Sequence, residues 1–147
     1  MNNDNPILEI DDEISFLTKG ASMRPMLREH RDIAVITTLK GEVKKGDVLL
    51  YRRAEDKPLV LHRVVKLQNG ALVLRGDNNA FDDEPIEIKD IVGILKGFYR
   101  EGRYFDCQKS IAYRIYTFWI CSFYWLRKFY KITIRKNLSK IKRKIIK

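Results

Sequence analysis

Cysteine and histidine are scarce in this chain of 147 residues, with two of each. Cys107 and Cys121 lie far apart and match no metal spacing, which excludes a disulfide framework and a cysteine–histidine metal centre. No metal or other cofactor is expected. Long apolar runs are missing too. The uncharged stretch from Ile115 to Leu126 has 12 residues, against the roughly 20 that a membrane-spanning helix needs. The beginning, "MNNDNPILEIDDEI", is acidic and has no apolar core of signal-peptide length, so a secretory signal is not expected. Acidic residues, finally, almost vanish from the last third, where only Glu101 and Asp106 remain.

What is there is ordinary for a globular protein: 45% hydrophobic and 33% charged residues, enough for one domain with a core. The formal charge of +10 is unevenly spread. Residues 1–100 carry 16 Lys/Arg and 17 Asp/Glu, whereas residues 101–147 carry 13 and 2. All the excess positive charge therefore sits at one end, as in a basic tail that meets an anionic surface.

The chain up to about residue 106 reads as closely spaced strands. "ISFLT" (14–18), "DIAVITTL" (32–39), "DVLLYRR" (47–53), "PLVLHRVVKL" (58–67), "ALVLRGD" (71–77) and "DIVGILKGFYR" (90–100) are rich in β-branched and aliphatic residues. Asn69–Gly70 is a strong hairpin signal, because a type I′ turn needs positive φ at both central positions. Residues 107–147 change character, with dense aromatics followed by dense cations. Trp, Tyr and flanking Lys/Arg suit a helix lying in the headgroup layer, and an anionic membrane surface is the expected partner of residues 108–147. The expected fold class is mostly β with a C-terminal amphipathic helix, divided as a domain over 1–106 and a helical tail over 107–147.

Few residues here could do chemistry. His30 sits among charges in "REHRD" and reads as a surface residue, whereas His62 lies inside an apolar strand. With a two-residue turn at Asn69–Gly70, Gln68 pairs with Ala71 and Leu67 with Leu72. Carried on without a bulge, that register sets His62 across from Asp77, within the ~4.5–5.5 Å of cross-strand Cβ partners. Ser22, in "KGASMRPML", completes a serine–histidine–aspartate set. Such a set supports acyl transfer: the imidazole takes the serine proton during attack and returns it to the leaving amine, and a carboxylate on the other ring nitrogen fixes the tautomer.

Four segments together resemble the type I signal peptidase family, within a clan that includes the self-cleaving SOS-type repressors. "GASMRPML" resembles the nucleophile box, "KKGDVLLYR" the Gly-Asp strand after it, "LHRVV" the box with the general base, and "RGDNNAFDDEP" the Gly-Asp-Asn-Asn box with its later acidic residues. The resemblance covers roughly residues 14–100. A histidine in the base box points to the archaeal and endoplasmic-reticulum branch rather than the lysine branch. The resemblance implies a β-rich, barrel-like domain that takes its peptide as an added strand. It implies Ser22 as nucleophile, His62 as general base, Asp83 as the acidic partner and Asp77 as the other acidic position of that box. The hairpin register favours Asp77 beside His62; the family pattern favours Asp83. Gly20 and Met23, flanking Ser22, are the expected oxyanion and substrate-binding positions, with Gly20 allowing close backbone approach.

Met26 departs from the pattern, standing where the family usually has threonine. The family's usual N-terminal membrane helix also has no counterpart here, so the expectation is a domain peripheral to the membrane on its cytoplasmic side. The expected activity is a serine endopeptidase acting on a leader or signal-like peptide of a peptide or protein substrate. Two alternatives stand beside it: an inactive peptide-binding member of the fold, and a repressor-like nucleic-acid-binding protein. Against the latter, residues 1–100 show no recognition helix, and no specific nucleic acid is expected.

Overall fold

A computed structural model describes residues 8–10, 13–54, 57–126, 128–130 and 133. Among the described residues, eight strands form one antiparallel sheet: β1 (Leu8–Ile10), β2 (Glu13–Leu17), β3 (Asp32–Thr37), β4 (Val48–Arg52), β5 (Leu59–Gln68), β6 (Ala71–Arg75), β7 (Ile91–Arg100) and β8 (Arg103–Asp106). The order is β1-β2-β3-β7-β4-β5-β6, and β8 pairs with β7. One α-helix follows, α1 (Ile111–Ser122). The fold is thus mostly β with a C-terminal helix. The six strands read from the sequence are all present; β1 and β8 were not anticipated, being three and four residues long.

The sheet buries residues on both faces. On one face Met23, Met26, Leu27, Ala34, Ile36, Val48, Leu50, Leu95 and Phe98 pack together with Tyr113 and Tyr116 of α1. On the other lie Leu49, Tyr51, Val64, Leu72, Leu74 and Ile86. Alternate residues of a strand point to opposite faces, so a strand covered on both sides must be apolar throughout. That is why β4 reads Val-Leu-Leu-Tyr without alternation, and all four are buried.

The Asn69–Gly70 hairpin forms as expected, with φ of 50° and 78° at the two turn residues. Gln68 pairs with Ala71 and Leu67 with Leu72. The register then shifts between Val64 and Lys66, so that Val64 faces Leu74 and Arg63 faces Arg75. This bulge corrects the expected pairing: one further step would set Gly76, not Asp77, across from His62. A bulge adds one residue to one strand only, and no pattern of side chains announced it.

The loop from Thr18 to Asp32 is fastened at both ends. The Thr18 hydroxyl meets the carbonyl oxygens of Arg28 and Asp32, each at 2.9 Å. The Asp32 carboxylate is fully buried and accepts hydrogen bonds from Arg31, Arg100 and the Arg28 backbone at 2.8–3.0 Å. Burial alone would raise its pKa, but these donors hold it well below the carboxylate range. Met23, Met26 and Leu27 anchor the middle of the loop in the core. The methionines around Ser22 are therefore packing residues that hold the loop down.

α1 begins at Ser110, whose hydroxyl accepts from the Tyr113 backbone at 3.2 Å, an N-cap. No helix among the described residues is long and apolar enough to cross a membrane. Most of the basic run after Tyr130, on which the anionic-surface expectation rests, lies outside the described residues.

Candidate active site

β5, one strand in from the β6 edge, presents His62 paired with Leu49 of β4. Its side chain is 5% exposed, and Nδ1 lies 2.5 Å from Oδ2 of Asp83. Asp83 is gripped on all sides. Tyr51 donates its hydroxyl to Oδ2 at 2.9 Å, Arg53 contacts Oδ1, and the Asp83 backbone N–H donates to Leu74 at 2.8 Å. Burial pushes the Asp83 carboxyl up, yet the bonds from His62 and Tyr51 and the charges of His62 and Arg53 leave it lowered overall. Burial likewise raises the Tyr51 hydroxyl, which remains a neutral donor. A carboxylate on Nδ1 selects the tautomer with the proton there, which leaves Nε2 free to accept.

Asp77 does something else. Its carboxylate receives Nε and Nη2 of Arg63, both at 2.8 Å, and the Tyr116 hydroxyl at 2.9 Å. The side chains of Arg63 and Asp77 are each 1% exposed. Of the two acidic candidates, then, Asp83 contacts His62 and Asp77 contacts Arg63. Arg63 escaped sequence reasoning altogether. Its one signal was an arginine inside an apolar strand, in "LHRVV", which burial makes costly unless a carboxylate pairs with it.

Ser22 is half-buried on its loop. Its carbonyl accepts from the Asn78 backbone at 2.6 Å, and Asn78 Nδ2 reaches the Ala21 carbonyl at 3.0 Å. The loop therefore lies directly on the "GDNN" segment. A Cβ placed on Gly76 would meet the Ser22 carbonyl at 2.7 Å and the Ser22 Cβ at 2.9 Å. Gly76 directly follows Arg75, the last residue of β6 and the partner of Arg63, so the Ser22 loop rests against the end of β6, next to the strand that carries His62. Among the described residues its hydroxyl forms no hydrogen bond, to His62 or otherwise; such bonds often tighten only when substrate is present.

Gly76 thus supplies the close approach that had been expected of Gly20. Around Gly20 there is open space for a Cβ; glycine is needed there because φ is +79°. Ser22, Gly20 and Met23 line one end of an apolar cavity of ≈ 620 Å³, whose walls include Phe16, Leu50 and Leu61. Its lining carries few polar groups, which suits an extended apolar peptide segment. His30 is exposed, as expected of a surface residue, and contacts Glu29. Both cysteines are free, Cys107 buried and Cys121 half-buried, and burial pushes the Cys107 thiol up to about 12.

Comparison with known proteins gives a distant likeness. Over 93 residues the chain is 29% identical to the signal peptidase complex catalytic subunit of Zygosaccharomyces rouxii, an alignment covering 54% of this chain and 55% of that protein. The chain thus spans about half the length of the curated relative it matches. No family model matches the chain, and no solved structure matches it.

Proposed function

We propose that this protein is a serine endopeptidase that cleaves a leader or signal-like peptide, with Ser22 as nucleophile, His62 as general base and Asp83 as the group that orients His62. One observation carries the reading: a buried imidazole has its Nδ1 on a carboxylate, while a serine loop is lodged against the backbone position beside it. The distant likeness to a signal peptidase catalytic subunit supports the same class of reaction.

In this reading the peptide lies extended along the cavity with its scissile carbonyl over Ser22. The Ser22 Oγ attacks the carbonyl carbon as its proton passes to Nε2 of His62. The Nδ1–H then donates to Asp83, which stabilises the imidazolium. The backbone N–H of Ser22 helps to hold the oxyanion, a stabilisation worth about 3–4 kcal/mol per donor. His62 returns the proton to the leaving amine, and a water molecule, deprotonated in turn by His62, releases the acyl group. Asp77 serves as the partner of Arg63 and supports the site without touching the reacting atoms.

The exposed face of α1 and of the helical turns after it suits an anionic membrane surface. Ile111, Ile115, Phe118, Trp125 and Phe129 are all exposed and recur at helical spacing. They precede a segment rich in Lys and Arg. Peripheral attachment would bring the cavity to peptides at that surface.

The test is cleavage of a peptide library read by mass spectrometry. Wild type is expected to yield a defined set of cuts that disappears in both Ser22→Ala and His62→Ala. Cuts that persist in both variants would overturn the mechanism. A wild type that retains peptides on a column without cutting them would favour a binding module instead.

A further inference from the structure

Four hydroxyl groups of the C-terminal helical segment point back at the candidate site. Tyr113, Tyr116 and Thr117 lie on one face of α1, with the buried Ile120 one turn on and Tyr124 on the helical turn beyond. The Tyr113 and Thr117 hydroxyls accept from Nη1 of Arg63 at 3.2 and 3.1 Å. The Tyr116 hydroxyl donates to Asp77 at 2.9 Å. The Tyr124 hydroxyl donates to the Ala80 carbonyl at 2.5 Å. The Arg75 guanidinium sits 3.2 Å over the Tyr124 ring and reaches Asp82 at 2.7 Å.

Directly through Tyr116 and Tyr124, and by way of Arg63 and Arg75, these contacts reach one short segment. Asp77 opens it, Ala80 and Asp82 lie in its middle, and Asp83, the partner of His62, closes it. Asn78 of the same segment is bonded to the Ser22 loop. Backbone bonds from Asn78 to Ser22, Asn79 to Gly76 and Asp83 to Leu74 fix parts of this loop, and the side chains of the C-terminal helical segment add to them at Asp77 and Ala80. α1 is admitted to this position by Gly46, where a Cβ would lie 2.7 Å from Cγ2 of Thr117. Every fully buried side-chain nitrogen and oxygen among the described residues has a partner, so this network is complete as it stands.

We propose that Tyr116 and Tyr124 are positioning residues of the active site: the C-terminal helical segment holds residues 77–83 so that Asp83 meets His62 and Asn78 meets the Ser22 loop. Reading these contacts as catalytic rests on the proposed peptidase function. The hold itself can be tested apart from it. Tyr→Phe removes one hydroxyl at each position and keeps the ring, so packing and the Arg75 stacking persist.

The chain has only two histidines. With ¹⁵N-labelled histidine in the full chain, the ring signals of His62 can be told from those of exposed His30. Tyr116→Phe and Tyr124→Phe are each expected to speed solvent exchange of the His62 Nδ1 proton by ~10-fold, or ~1.4 kcal/mol, with the His30 signals unchanged. On a peptide found by the library screen, kcat should fall by a similar factor while KM moves less than about twofold. Unchanged His62 exchange and kcat in both variants would overturn the proposal, as would a lower melting temperature with neither effect. If exchange quickens but wild type cleaves no peptide, the hold on His62 stands and the peptidase reading fails. If wild type cleaves and the variants match it, the positioning role alone fails.

Discussion

Gly76 shows how much one residue carries here. A Cβ at this position would press on the Ser22 carbonyl on one side and on the Asn79 side chain, 2.9 Å away, on the other. Gly76→Ala is therefore expected to push the Ser22 loop off the "GDNN" segment. Cleavage should drop by more than tenfold, and melting temperature should fall, because the nearer obstacle is backbone and cannot swing aside. Asp83→Asn is the companion change. It keeps the size of the side chain but removes the charge that selects the Nδ1–H tautomer. A loss on the order of 10⁴ in kcat is expected, the size seen when that tautomer is lost in other serine–histidine enzymes. Steady-state kinetics on one library-derived peptide would check both. Residual activity close to wild type in Asp83→Asn would remove Asp83 from the mechanism.

At the scale of elements, β5 is the piece that matters. Its neighbouring residues His62 and Arg63 point to opposite faces, so one strand feeds two polar clusters. His62 joins Asp83 and Tyr51; Arg63 joins Asp77 and the hydroxyls of α1. Burial disfavours the charged Arg63 guanidinium, but Asp77 holds it above its ordinary range. Removing one member of a buried pair leaves the other charge stranded. Asp77→Ala should thus cost about 3–5 kcal/mol of stability, measured by urea unfolding, and more than Arg63→Met paired with Asp77→Leu in a double variant. A cost under ~1 kcal/mol would mean that the pair contributes little to holding α1 against the sheet. The bulge between Val64 and Lys66 belongs to this scale as well. It moves the frame by one residue, so that the ladder carried one step past Arg63–Arg75 would set Gly76 rather than Asp77 opposite His62.

For the whole molecule, pH and surface charge give the tests. Asp32 and Asp83 both have folded-state pKa values below their ordinary ones. Their stabilisation is therefore complete above the unfolded carboxyl pKa, about 4, and is lost as pH falls through the lower folded values. Melting temperature should hold from neutral pH to about 5 and then drop. Asp32→Asn should lower it at neutral pH and flatten the acid limb; an unchanged acid limb would contradict the assignment. On the basic side, the full chain is expected to float with vesicles containing phosphatidylglycerol and not with phosphatidylcholine alone. Phe118→Glu together with Trp125→Glu should weaken flotation, and so should raised salt. Equal binding to both vesicle types would remove the electrostatic part of that reading.

The sequence by itself determined the strands of five residues or more, the Asn69–Gly70 turn, the position of the helix and the short roster of groups able to do chemistry. Each of those depends on neighbours within a few residues, and local sequence records such neighbours directly. Only the tertiary structure decided which carboxylate meets His62, why Gly76 must be glycine and where Arg63 finds its counter-charge. Those contacts join residues 14 to 54 positions apart, and a single bulged residue was enough to redirect one of them. That Tyr116 and Tyr124 turn their hydroxyls toward the 77–83 segment, and Tyr113 and Thr117 toward Arg63, was equally hidden, because in sequence these tyrosines look like the rest of an aromatic helix.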